Sequence, residues 1–153
     1  MPLFDPSSFL DSEAGGPLST ERVLVPIGTY PNCYIENVKP QEGIIKEGDR
    51  AGQPWVRVNF TWVIDDQEVR DQLDRAEIKL VQGVMLDLTE DGRLDEGKGK
   101  NYRLGKLRQA LGINDGPVQW RSFIGIPATL QVGHGVNGKD GSPTEEILAV
   151  AGH

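Results

Sequence analysis

The chain has one cysteine, Cys33, so an internal disulfide is excluded, and a cysteine-rich metal cage with it. His134 and His153 are the only histidines. His134 reads as a hydrogen-bonded interior or barrel-end residue, and three scattered ligands do not make a zinc site. Asp87, Thr89, Asp91 and Gly92 match the first half of a calcium loop, but position twelve is Lys98 where a bidentate glutamate is needed, so no metal is expected. Also missing are the Gly-x-Ser-x-Gly nucleophile turn and the phosphate loop ending in Gly-Lys-Ser/Thr, since Lys100 is followed by Asn101. Neither histidine has a recognisable acid partner. Catalysis and a cofactor therefore find no support, and the sequence reads as a binding protein, not an enzyme. No apolar run approaches the roughly 18 residues that span a bilayer, and the first residues lack the basic-then-apolar order of a secretory signal. A cytoplasmic location with no membrane partner is expected.

What the chain has in quantity is turn formers: 19 glycines and 10 prolines, in spaced clusters that separate short apolar-alternating runs. This predicts a β-rich chain. Residues 1–22 mix Pro, Ser, Gly and Asp with Leu3, Phe4, Phe9 and Leu10, and read as an N-terminal arm that packs a few apolar side chains. Residues 23–153 read as one domain. Alternation predicts strands over 28–39, 55–65, 78–88, 125–136 and 145–152, with a long polar loop over 40–54 and a bulge or bend at Gly83. In the second run Val56, Val58, Phe60, Trp62 and Ile64 alternate against Trp55, Arg57, Asn59, Thr61 and Val63. Asp65 or Asp66 caps a short surface helix, and Leu104, Leu107 and Leu111 before Gly112 mark a second helix. Five strands with a helix between the third and fourth predict an all-β, five-stranded oligonucleotide-binding (OB) barrel.

The formal charge of −7 is unevenly spread. Residues 65–96 hold eleven acids against four bases, whereas residues 97–112, GKGKNYRLGKLRQALG, hold five bases and no acid. A polyanion feels the local field within about 8 Å at physiological salt, so overall acidity does not exclude a nucleic-acid partner. Lys98, Lys100, Arg103, Lys106 and Arg108 are candidate phosphate contacts, with Gly97 and Gly99 letting backbone amides approach; the plainer alternative is a solvated helix face. On the outward face of the second strand, Trp55, Arg57 and Asn59 offer a π-surface, a guanidinium and an amide, the combination that holds unstacked bases and a phosphate line. Lys79 and Met85 extend that face from the third strand. Tyr34 is a further stacking candidate whose orientation Pro31 leaves open, with a core position the alternative.

The segments LFDPSSF, GTYPNCYIENVK, VNFTWVIDD and LDLTEDGRLDEGKGKNYRLGKLRQALG resemble a family of small bacteriophage proteins from replication and recombination modules. The resemblance spans nearly the whole chain. It implies an oligonucleotide-binding barrel that coats single-stranded DNA without sequence preference, in the cytoplasm of the infected host cell, alongside replication or recombination proteins. One departure stands out: such proteins often end in an acidic tail that recruits enzymes, and this sequence ends TEEILAVAGH. A homo-oligomer is compatible with the arm. Two other readings remain: a non-enzymatic assembly adaptor that uses the barrel as scaffold, and a metal-dependent nuclease or enzyme accessory subunit.

Overall fold

In the computed structural model, residues 6–13, 15–18 and 23–153 are described. The chain forms strands β1 (Gly28–Ile44), β2 (Pro54–Ile64), β3 (Lys79–Met85), β4 (Ala128–Val136) and β5 (Pro143–Gly152), with helix α1 (Gln67–Leu73) after β2 and helix α2 (Tyr102–Ala110) after β3. Short 3-10 turns lie at Phe9–Asp11 and Trp120–Phe123. The strands build one antiparallel sheet in the order β3-β2-β1-β4-β5.

The expected closed barrel is not formed. Edge strands β3 and β5 come within 8 Å Cα to Cα but share no hydrogen-bonded ladder. Helix α2 packs against β5 and sends Leu104, Leu107 and Leu111 into the core, so the interior is completed by a helix instead of a final strand pairing.

The inward face of β2 is as the alternation predicts. Val58, Phe60, Trp62 and Ile64 are buried, joined by Leu80 and Val84 of β3 and by Leu130 and Val132 of β4. Each such side chain contributes about 1.5–3 kcal/mol by leaving water. Trp62 is fully buried, and its indole N–H donates to Gln82 Oε1 at 2.9 Å, so its one polar atom is satisfied.

Strand β1 is longer than predicted, because residues 40–44 pair with Pro54–Val58 instead of looping. That part of β1 has β2 on one side and no β4 partner on the other, so no buried face imposes the apolar alternation that would have marked it. The hairpin closes over residues 45–53, where Gly48 and Gly52 take φ of 91° and 88°. Two irregularities interrupt β1, one between Tyr30 and Cys33 against β4 and one between Ile35 and Asn37 against β2. Its inward residues are consequently Tyr30, Cys33, Ile35 and the half-buried Val38, a spacing no strict period of two produces.

Gly83 is not a bulge, since β2 and β3 stay in register across it. A Cβ there would stand 2.8 Å from Arg57 Cδ, so its missing side chain makes room for the arginine. In the arm Leu10 is 90% exposed, while Leu3, Phe4 and the Phe9 side chain lie outside what is described. Buried Val25 is held at both ends of its backbone: its N–H donates to Glu145 Oε1 at 3.0 Å and its carbonyl oxygen lies 2.6 Å from His134 Nε2. His134 is therefore hydrogen-bonded at an exposed position and not interior.

Candidate nucleic-acid interface

The register of β1, β2 and β3 decides which side chains share the face away from the core. Gly43 lies opposite Trp55, Gln41 opposite Arg57 and Lys39 opposite Asn59. Across the other edge of β2, Met85 lies opposite Arg57, Gly83 opposite Asn59 and Val81 opposite Thr61. Side chains directly opposite in an antiparallel pair point the same way, so these residues form one outward surface.

Within it, Trp55 is half-buried and fits over Gly43, where a Cβ would lie 2.4 Å from its ring, a distance only glycine permits. The Arg57 guanidinium stands 5.8 Å from the Trp55 ring centroid, a cation-π arrangement that orients both groups. Its Nη2 donates to Gln41 Oε1, which also accepts from Asn59 Nδ2 at 3.0 Å. Gln41 thus ties Arg57 to Asn59 with a neutral acceptor. Arg57 makes no ion pair among the described residues, and its Nε is buried without a partner, so its charge is left uncompensated by any carboxylate.

Lys79 is held differently. Its ammonium lies 2.7 Å from Glu36 Oε1 and 3.2 Å from Glu77 Oε2, and these contacts raise its pKa above the usual lysine value. The two carboxylates occupy the charge that was expected to meet phosphate. Glu36 reaches Lys79 from the β1 irregularity between Ile35 and Asn37. Tyr34 faces outward, 37% exposed and opposite Val63, because the irregularities turn Cys33 and Ile35 inward on either side of it. Lys39 was not singled out from sequence, yet it is exposed at the centre of this surface beside Asn59. The same irregularities hide it, by breaking the alternation that would have assigned its face.

The basic segment divides into parts. Asn101, with φ of 52°, precedes α2; its Nδ2 donates to the carbonyls of Asp87 and Asp95, and its Oδ1 accepts from Asp87 N. Its own N–H donates to Asp87 Oδ2 at 2.7 Å. Asp87 follows Met85 by two residues, so this knot brings the turn carrying exposed Lys98 and Lys100 to the β3 margin of the outward surface. Further along, Arg103 and Lys106 are exposed on a helix whose leucines enter the core on the opposite side of the sheet, and Lys106 lies 5.8 Å from the Tyr102 ring. Arg108 donates from Nε and Nη2 to Ile113 O and from Nη2 to Gly116 O, closing the end of α2. It serves the loop, and no hydrogen bond, ion pair or ring contact joins any of these three to Trp55 among the described residues.

Among the described residues no group of three or more His, Cys, Asp or Glu side chains is gathered for a metal, and no helix is long and apolar enough to cross a membrane. Asp91 accepts from the Thr89 hydroxyl and pairs with Arg93 at 2.8 Å, contacts that lower its pKa; the Glu-Asp-Gly stretch is a turn, closed by Gly92 at φ 84°. Cys33 donates to Tyr30 O at 3.3 Å, and burial pushes its thiol up to about 11, which keeps it protonated and unreactive at neutral pH.

Comparison with protein families, curated proteins and solved structures finds no match to this chain.

Proposed function

We propose that this protein binds single-stranded DNA without sequence preference, as a non-enzymatic component of phage replication or recombination, through the outward surface of β1, β2 and β3. The observation that carries the reading is Trp55 braced by Arg57 and Asn59 on an accessible sheet face whose central cations, Arg57 and Lys39, have no carboxylate partner among the described residues. A base stacked on an aromatic gains about 1–3 kcal/mol, and cations follow the backbone regardless of base identity. In duplex DNA the base faces are already stacked on one another, so Trp55 favours single strands. The sheet is an open variant of the oligonucleotide-binding barrel: β1 pairs with both β2 and β4, a helix lies between β3 and β4, and strands two and three supply the surface that this fold uses.

Tryptophan emission titrated with oligo-dT tests this. Trp62 is buried and supplies a constant background, while quenching that is reduced by Trp55→Phe substitution supports the surface. Absence of both quenching and a gel shift at low salt ends the proposal.

A further inference from the structure

We propose that the 3-10 turn Trp120–Phe123 is a second stacking station for the same strand, in which a nucleobase lies on Trp120 and Arg121 neutralises the adjoining phosphate. The inference rests on the single-stranded DNA reading above and extends it to a surface that no sequence pattern marks.

The Trp120 ring is preorganised. Phe123, itself fully buried, stacks against it with ring centroids 5.5 Å apart and planes at 20°, and Phe60 approaches at 6.4 Å. The residue nevertheless remains 39% exposed. An indole fixed from behind by the core and open in front loses little rotamer freedom when a base stacks on it. It borders a cleft of about 500 Å³ whose other walls are Val38, Gln119, Arg121 and Ile124. Arg121 is exposed, and its side chain has no hydrogen-bond or ion-pair partner among the described residues. The cleft therefore offers an apolar wall, an amide and a free cation, which match a base plane, a base edge and a phosphate.

Position supports continuity with the first station. Beyond Cys33, β1 has no β4 partner, and its side away from β2 is taken by the segment after the turn: Ile124 bridges Ile35, and Gly125 N–H donates to Ile35 O at 2.9 Å. The lateral sequence is then β3, β2, β1 and the turn. Trp120 packs on inward Phe60 and shares its cleft with inward Val38, so a strand crossing the outward face from Lys98 and Lys100 over Arg57, Asn59 and Lys39 reaches Trp120 and Arg121 by turning round the margin of β1 that has no β4 partner.

The test starts from protein carrying Trp55→Phe, so that Trp120 is the only remaining exposed indole, titrated with oligo-dT of increasing length. The expected result is residual quenching that vanishes on Trp120→Phe. Trp120→Ala is expected to weaken a long oligomer about five- to 100-fold and to leave one too short to span both stations unaffected. Since Trp120→Ala removes a ring packed on Phe123, Arg121→Glu, on an exposed side chain, supplies an independent arm: it is expected to lower long-oligomer affinity and to reduce the salt slope by about 0.7. If wild type binds and depends on Trp55 while Trp120 emission and the Arg121→Glu affinity stay unchanged, this proposal alone is overturned. If Trp120 emission responds to protein concentration and not to DNA, the cleft belongs to a second copy and the proposal is likewise overturned. If wild type does not bind at all, both readings fall together.

Discussion

Two cations on the same sheet face illustrate how a neighbour decides what a charge is for. Arg57 is tied to a neutral amide, whereas Lys79 is claimed by Glu36 and Glu77. We expect Trp55→Ala to reduce single-strand affinity about five- to 100-fold with little loss of stability, because the residue sits outside the core. Lys39→Ala should weaken binding, and Lys79→Ala should leave it unchanged within twofold, as measured by anisotropy of a labelled oligomer. The Trp55, Arg57 and Asn59 grouping was legible because β2 alternates without interruption. The capture of Lys79 was not, since Glu36 arrives from a strand irregularity remote in sequence. A second residue-level prediction concerns Cys33 and Tyr30, both raised by burial. For Cys33 the folded pKa is raised from 9.0 to about 11, so its contribution to stability is intact below pH 9 and declines as pH rises toward 11. Denaturant midpoints measured from pH 7 to 11 should fall over that upper range, more steeply than for Cys33→Ser over the same range. A flat profile contradicts the assignment.

At the scale of elements, β1 does the positioning. Its two irregularities turn Tyr30, Cys33, Ile35 and Val38 inward and leave Tyr34, Lys39 and Gln41 outward. A sequence read at strict period two loses its place there, which is why Tyr34 stayed ambiguous, Lys39 went unnoticed and residues 40–44 were assigned to a loop. Gly83 is not the bulge that a glycine within a strand suggests: it preserves the ladder and clears the path of the Arg57 side chain. Gly83→Ala should therefore displace the flexible Arg57 arm while leaving β2 and β3 paired. Expected are a near-native melting temperature and a several-fold loss of oligomer affinity; unchanged affinity would show that the Arg57 pose does not matter. Helix α2 was legible from its leucine spacing and Gly112, but its cations were not separable by role. Only the tertiary knot between Asn101 and Asp87 shows that Lys98 and Lys100 approach the sheet margin, while Arg108 closes the helix end.

For the whole molecule, five strands and two helices in the expected order were readable from turn spacing and alternation, whereas the open edge between β3 and β5 depends on how α2 fills the core. The acids of residues 65–96 set the net charge of −7, yet Lys39 and Arg57 on the outward face, with Lys98 and Lys100 at its margin, have no ion pair among the described residues. If Lys39, Arg57, Lys98 and Lys100 each neutralise one phosphate, log affinity should fall with log salt at a slope between about −2 and −4, and Lys79→Ala should not alter it. The most direct test is a titration of one labelled single strand and its matching duplex at two salt concentrations. The account predicts saturable binding of the single strand, weaker binding of the duplex and a loss of affinity at the higher salt. Equal affinity for both forms, or no binding to either at low salt, would contradict it.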